Sequence, residues 1–134
     1  MDYGYARVST GDQDPGIQIT ALEQAGCDTI VEERASGKAK TDRPVLGEVL
    51  RRAQRGDTLT VWKLDRLGRS VIELRRIVED LDHRGVRFRC LTQPIDTSTA
   101  AGRFFVTLLA AFAEMERELI LERTAAGKAA RAAR

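Results

Sequence analysis

The sequence predicts an α/β fold: a mostly parallel sheet of about four to five strands, helices on both faces and a long projecting C-terminal helix. Short runs rich in β-branched and aromatic residues alternate with segments whose apolar residues recur at helical spacing. Glycines follow these helical segments at 26, 56 and 85, where a left-handed backbone often ends a helix or turns the chain. The last segment keeps its helical pattern over about 30 residues, longer than such a domain is wide.

Four strands are predicted, at residues 3–9, 29–33, 58–63 and 86–91. The first helix places Ile17, Ala21, Leu22 and Ala25 at helical spacing and ends at Gly26. Pro44 suits the first position of the second helix, with Asp42 as its cap, and Ser70 caps the third with Glu73 in the capping-box position. Strand–helix–strand units of this length imply parallel pairing.

Composition indicates one globular domain, since 134 residues with 43% hydrophobic and 31% charged residues can form a core. The 22 Lys and Arg residues nearly balance 20 Asp and Glu. No apolar run is long enough for a membrane span and the start lacks a signal-peptide pattern, so we expect a cytoplasmic protein with no membrane partner. Cys27 and Cys90 lack C-x-x-C spacing and predict two buried free thiols; with one histidine, no His/Cys metal cluster is expected.

The final helix is predicted to start near residues 97–99 and run to about residue 130. At 1.5 Å per residue it is a rod of roughly 45 Å, so part of it must project. An apolar seam follows it, formed by Phe105, Leu108, Leu109, Phe112, Met115, Leu119 and Ile120. A seam exposed to water predicts self-association, and packing on the chain's own sheet is the alternative.

Arg7 and Ser9 are the unusual residues of the first strand. Period-two alternation places them on one face with Tyr3 and Tyr5. An arginine in an interior strand is costly unless its guanidinium meets an anion, and Ser9 lies beside it at the carboxyl end. The pair therefore suggests a nucleophile next to an oxyanion clamp. The alternative is an ion pair from Arg7 to a carboxylate of residues 12–14, with Ser9 a turn residue.

The loop after the third strand favours the anion site. Residues 63–70 carry Lys63, Arg66 and Arg69 against the single acid Asp65, and Arg43 follows the second strand at the same edge of the sheet. Four arginines around one hydroxyl suit a phosphodiester, because negative charge grows on its non-bridging oxygens during attack. The acids at 12, 14, 42 and 65 are scattered, so no metal is expected.

Several segments carry a resemblance to a known family. They are Gly4 to Thr10 with Asp12 and Gln13, Ser36-Gly37, Thr41 to Pro44, Leu64 to Arg69, Gly102 to Phe105, and Ala113 to Arg117 with Glu122 to Thr124. In this order and spacing the chain resembles the small serine recombinases, the resolvases and DNA invertases, and is most similar to the invertases. The likeness extends over most of the sequence.

The resemblance implies that Ser9 attacks DNA phosphodiesters and becomes joined to the 5′ phosphate, after which the 3′ hydroxyls reverse the reaction in a new pairing. No cofactor is implied, because two transesterifications exchange like bonds. By matched position, Arg7, Arg66 and Arg69 hold the scissile phosphate and Arg43 supports them. Gln18 and Asp65 are polar active-site positions, and Asp65 either orients an arginine or takes part in proton transfer.

The resemblance also implies DNA as partner, a homodimer, and a tetramer in the synaptic complex, with the need for an accessory protein left open. Residues 1–100 would form the catalytic core, and residues 101–134 the helix for oligomerisation and DNA contact. The implied DNA contacts are Arg117, Arg123, Lys128 and Arg131, and the implied interface residues are Phe105, Phe112, Met115 and Leu119. Such proteins continue into a helix-turn-helix domain, which this sequence lacks, so we expect a catalytic and dimerisation fragment.

Two other functions remain open at this point: a non-enzymatic α/β regulatory module that binds an anion, and a metal-dependent nuclease. Only the recombinase predicts a covalent protein–DNA adduct that persists in chelator. The regulatory module predicts anion binding without an adduct. The nuclease predicts loss of cleavage when divalent ions are removed.

Overall fold

The computed structural model describes residues 1–9, 15–35, 43–64, 70–93 and 95–132, with the backbone alone at residues 9, 15, 35 and 128–132. Within these ranges the strands are β1 (Asp2–Ser9), β2 (Thr29–Ala35), β3 (Thr58–Val61), β4 (Arg87–Cys90) and β5 (Ile95–Asp96). The helices are α1 (Pro15–Gln24), α2 (Pro44–Arg52), α3 (Val71–His83) and α4 (Ala100–Ala132). The predicted order of strands and helices is confirmed.

The five strands form one sheet in the order β2-β1-β3-β4-β5. Strands β1 to β4 pair in parallel, and β5 is antiparallel to β4. The predicted fold class is therefore confirmed. Strand β3 ends at Val61, two residues before the predicted end, and β2 continues two residues further than predicted, to Ala35. The two-residue β5 is too short to give an alternating pattern.

The main core lies on the sheet face that carries Tyr5, Leu59 and Phe88, all fully buried. Helices α2, α3 and α4 cover this face with Leu46, Val49, Leu74, Val78, Leu81 and Leu109. On the opposite face Ala6 and Val8 are buried together with Leu22 of α1. Both faces of the parallel sheet are thus covered by helices, as such sheets require.

The buried side of α1 differs from the prediction. Ile17, expected to face inward, is 49% exposed, and its neighbour Gln18 is buried instead. The inward stripe is therefore rotated by about one residue, so that it runs through Gln18 and Leu22. A polar residue took an apolar position because it finds a backbone partner there, described below.

The helix starts are partly as predicted. Ser70 Oγ accepts a hydrogen bond from Glu73 N at 3.1 Å, which confirms the predicted cap of α3. Pro44 is the first residue of α2 as expected, but the N-cap position belongs to Arg43, and Asp42 lies outside the described residues. Gly26, Gly56 and Gly85 have φ of 87°, 92° and 76°, the left-handed backbone that their positions predicted.

Helix α4 contains 33 residues and is about 50 Å long at 1.5 Å per residue. Its inner side buries Leu109 and Ala113, and Phe105 packs against the same core. The predicted seam is therefore divided: its remaining members, Leu108, Phe112, Met115, Leu119 and Ile120, are exposed on the described chain. None of the helices in the described ranges combines the length and apolar character needed to span a membrane.

Cys90 is buried and Cys27 is half-buried, and both are free thiols. The prediction of two buried thiols is thus right for Cys90 and only partly right for Cys27. Burial raises the pKa of the Cys27 thiol, with the nearby Asp2 carboxylate acting in the same direction. Cys27 therefore stays protonated at neutral pH.

Asp96 is the last residue of β5, shortly before α4, and its contact with Arg87 is expected to weaken in acid. Its carboxylate accepts from both Nε and Nη2 of Arg87 and from the backbone and hydroxyl of Ser98. The Arg87 hydrogen bonds, followed by those of Ser98, hold the pKa of Asp96 well below its usual value near 4. The group therefore stabilises the fold above about pH 4, and this contribution is lost as the pH falls further.

The wild-type protein should therefore lose about 1 kcal/mol of unfolding free energy through Asp96 as the pH falls below 4. In Asp96→Asn this part of the pH dependence should be absent. Urea unfolding between pH 5 and pH 2 measures the effect. Asp80→Asn, which removes an exposed carboxylate paired with Arg84 on α3, is the control. Parallel curves for wild type and Asp96→Asn would contradict the assigned contact.

Candidate active site

The carboxyl end of β1 lies at the topological switch point of the sheet, where successive connections lead to opposite sides of one strand. β3 pairs with β1 only as far as Val61 opposite Tyr5, whereas β2 continues to pair until Ala35 opposite Ser9. The chain passes through α1 to β2 on one side of β1 and through α2 to β3 on the other. Such a switch point opens a crevice at the carboxyl ends of the strands. Arg7 and Ser9 lie in this extension of β1.

A buried carboxylate is the centre of the described site. Glu33 lies opposite Arg7 in the β1–β2 register and is 2% exposed. It accepts hydrogen bonds from Tyr5 Oη at 2.5 Å, from Val45 N at 3.0 Å and from Leu46 N at 3.2 Å. The last two are backbone donors of the first turn of α2, so a side chain of β2 takes part in capping this helix.

The pKa of the Tyr5 hydroxyl depends on its burial and on the charges of Glu33, Arg43 and Arg7. Burial raises the pKa of Tyr5 far above its usual value, and the hydrogen bond to Glu33 raises it further, so the hydroxyl remains protonated. The guanidinium groups of Arg43 and Arg7 act in the opposite direction. Both arginines are therefore close enough to this hydroxyl for their charges to act on it.

Arg43 connects the start of α2 with α3. Its side chain is 6% exposed, and its Nη2 forms an ion pair with Oε1 of Glu73 in the first turn of α3. A guanidinium this deeply buried needs an anionic partner. Glu73 also belongs to the predicted capping box of α3, but here its carboxylate bonds a residue 30 positions earlier in the chain.

Gln18 supports β1 from the opposite face of the sheet. Its Nε2 donates to the carbonyl oxygen of Arg7 at 3.0 Å, and the side chain is buried. Its Oε1 is also buried and has no hydrogen-bond partner among the described residues. Gln18 thus holds the backbone at Arg7, two residues before Ser9.

Of the predicted catalytic residues with described side chains, Gln18 and Arg7 are joined by a hydrogen bond, and Arg43 lies at the start of α2, whose first turn is bound by Glu33 opposite Arg7. Ser9 ends β1, with its backbone alone described. Asp65, Arg66 and Arg69 lie outside the described residues.

The predicted DNA and interface residues are distributed along α4. Arg117 and Arg123 are exposed, whereas Lys128 and Arg131 lie in the final turns, where the backbone alone is described. Of the predicted interface residues, Phe112, Met115 and Leu119 are exposed. Phe105 is half-buried against the chain's own core, the alternative considered for the first turns of the helix.

Sequence reasoning missed Tyr5, Glu33 and Glu73. Glu33 gives no distinct sequence signal, because the predicted strand ends at this residue; its burial follows only from the continuation of β2 to Ala35 beside the end of β1. For Glu73 the sequence predicts only a role in the local capping box. Within the described ranges, no three His, Cys, Asp or Glu residues form a group that could hold a metal ion.

Fold and site together define an open α/β domain with arginines at the switch point of a parallel sheet and a long helix leaving it. The model of the family described as "Resolvase, N terminal domain" matches residues 3–134. The chain therefore belongs to the resolvase family of serine recombinases.

Individual relatives agree with this assignment. A DNA-invertase of Enterobacteria phage P7 is 61% identical over 127 residues, which cover 95% of this chain and 68% of the relative. The serine recombinase gin of Escherichia phage Mu is 58% identical over 130 residues, covering 97% and 67%. The crystal structure of a resolvase family site-specific recombinase from Streptococcus pneumoniae has a TM-score of 0.74 and 26% identity, covering 99% of this chain and 98% of the other.

The buried carboxylate of Glu33 gives a prediction on stability. In Glu33→Gln a single amide oxygen replaces two carboxylate oxygens that serve three donors, and the negative charge opposite Arg7 is lost. We expect the free energy of unfolding to fall by about 2 to 3 kcal/mol, measured by urea denaturation. Glu48→Gln on the exposed side of α2 makes the same charge change and should leave the stability unchanged. Equal stabilities of the two variants would contradict the role assigned to Glu33.

Proposed function

We propose that this chain is the catalytic domain of a site-specific DNA recombinase, which cuts and rejoins DNA by serine transesterification through Ser9. The observation that carries the proposal is the extension of β1 past β3, which carries Arg7 and the terminal Ser9 to the carboxyl edge of the sheet, beside the buried Arg43 at the start of α2. Membership of the resolvase family supports this reaction.

In the proposed step, the Ser9 hydroxyl oxygen attacks a DNA phosphorus atom. The Ser9 O–P bond forms and the bond from phosphorus to the 3′ oxygen breaks, leaving a 5′ phosphoserine and a 3′ hydroxyl. The proton lost by Ser9 balances the proton gained by the 3′ oxygen. Rejoining is the reverse reaction with a new 3′ hydroxyl, so each step replaces one phosphate ester with another and needs no energy source.

The arginines stabilise the charge that grows on the non-bridging oxygens. Arg7 and Arg43 contribute from the described site, and Arg66 and Arg69 are proposed as further phosphate ligands by their matched positions. Gln18 holds the backbone at Arg7, and the Glu33–Tyr5 pair holds β1 against α2. Asp65 is the remaining proposed polar residue, either orienting an arginine or taking part in proton transfer.

Helix α4 supports a proposed homodimer, with a tetramer when two DNA sites are paired. Phe112, Met115 and Leu119 are apolar and exposed, a combination that favours an interface. Arg117 and Arg123 are exposed for contacts with DNA phosphates, and Lys128 and Arg131 are proposed for the same role. The proposed division is a catalytic core of residues 1–100 and a helix of residues 101–134 for oligomerisation and DNA contact.

A covalent adduct tests the proposal. The chain, fused after Arg134 to a heterologous DNA-binding domain, is incubated with a supercoiled plasmid carrying two matching sites in the presence of EDTA. The reaction is stopped with detergent, and the peptide that remains on the 5′ ends is identified by mass spectrometry. We expect the peptide that contains Ser9. Cleavage that requires divalent ions would instead indicate a metal-dependent nuclease, and DNA or anion binding without an adduct a regulatory module.

A further inference from the structure

We propose that Glu73 competes with DNA for Arg43: its carboxylate occupies the guanidinium in the free protein and is displaced when a phosphate binds. This inference rests on the proposed function and names a control built into the same site. The geometry behind it is the ion pair between the buried Arg43 side chain and the carboxylate of Glu73, whose side chain is 32% exposed.

A phosphate that approaches Arg43 meets a guanidinium that Glu73 already binds. Arg7 and Arg43 carry two positive charges, and Glu33 and Glu73 carry two negative charges around the same strand and helix ends. A phosphodiester adds a further negative charge. A phosphate oxygen would compete with Glu73 Oε1 for Arg43 Nη2, because carboxylates and phosphates bind the same guanidinium N–H groups.

Glu73 is the carboxylate that can leave. Glu33 is 2% exposed and accepts three hydrogen bonds, so its displacement would open the contact between β1, β2 and α2. Glu73 lies at the partly exposed edge of the site. The start of α3 does not depend on its carboxylate, because Ser70 Oγ caps the backbone N–H of Glu73. Displacement of the Glu73 carboxylate would leave this backbone cap in place.

The test compares two variants with the same charge change on the same helix. Glu73→Gln removes the competitor, and Glu79→Gln removes an acid that pairs with Arg75 one turn away at the surface. We expect Glu73→Gln to bind a DNA duplex about fivefold more tightly than Glu79→Gln, the effect of one weak ion pair removed. Fluorescence anisotropy of the full chain measures binding, and the rate of adduct formation at Ser9 should rise in parallel.

Arg43→Gln supplies the second control, because the proposal requires Glu73 to act through Arg43. In that background the further change Glu73→Gln should have no more effect than Glu79→Gln. Circular dichroism confirms folding at the assay temperature; if Glu73→Gln does not fold, Glu73→Asp, whose shorter side chain cannot reach Arg43 in the same way, is compared with Glu79→Asp. Binding and adduct formation no better than in Glu79→Gln would overturn the competition and indicate that Glu73 positions Arg43 for catalysis.

The two proposals fail in different ways. A wild-type chain that binds DNA but forms no adduct at Ser9 contradicts the recombinase function, whatever the Glu73 variants do. If the wild-type chain forms the adduct, but Glu73→Gln and Glu79→Gln have the same DNA affinity and the same adduct rate, only the competition is contradicted.

Discussion

Ser9→Ala should abolish the covalent protein–DNA adduct and lower the cleavage rate by about 10⁴-fold or more, because the proposed phosphoester forms on the Ser9 hydroxyl oxygen that alanine lacks. The fold should survive, since Ser9 ends β1 through backbone pairing with Ala35, which alanine retains. Electrophoresis in detergent measures the adduct, and circular dichroism measures the fold.

Ser98→Ala is the matched control for the loss of a hydroxyl. Ser98 bonds Asp96 in the turn before α4, outside the arginine site. We expect this variant to form the adduct at close to the wild-type rate. Adduct formation that persists in Ser9→Ala would show that another residue is the nucleophile and would remove the basis of the proposed reaction.

Gly102→Ala is expected to cause the largest loss of stability. A Cβ atom at position 102 would lie 1.7 Å from the carbonyl oxygen of Asp96 and 2.9 Å from Thr97 N, both backbone atoms. Neither can move without separating α4 from β5. Although alanine is intrinsically the better helix former by about 1 kcal/mol, the overlap should cost at least about 3 kcal/mol of unfolding free energy.

Gly127→Ala gives the opposite expectation on the same helix. No described atom lies within 4 Å of a Cβ at this position, so the helix propensity of alanine should make α4 equally or slightly more stable. Urea unfolding of both variants measures the difference. If Gly102→Ala is as stable as Gly127→Ala, the close approach of α4 to β5 is not present in solution.

The close contact at Gly102 also sets the direction in which α4 leaves the domain. Thr99 Oγ1 accepts from Gly102 N at 3.0 Å and donates to the Asp96 carbonyl, so the first turn of α4 is tied to β5. This docking buries Leu109 and Ala113 and leaves Phe112 and Met115 exposed. In the sequence the apolar residues of α4 form one continuous seam. Packing of the helix against the domain divides this seam into a buried side and an exposed side.

Local patterns predicted much of the chain because their causes are local. Alternating side chains indicated β1, the Ser70 hydroxyl predicted the start of α3, and positive φ was expected at the glycines that follow helices. Arg7 and Arg43 can also be identified from the sequence, because a charged side chain beside a buried strand needs an oppositely charged partner.

The order of strands and helices and the long last helix can be predicted from the amino-acid sequence alone, because each follows from the periodicity of neighbouring residues. Parallel pairing follows in turn from the alternation of strands with helices. The pairing of distant side chains is visible only in the folded protein: Tyr5 bonds Glu33, 28 residues away, and Arg43 bonds Glu73, 30 residues away. Such pairs form where β1, β2, α2 and α3 converge at one edge of the sheet. Their formation depends on packing between distant elements, which periodicity does not record.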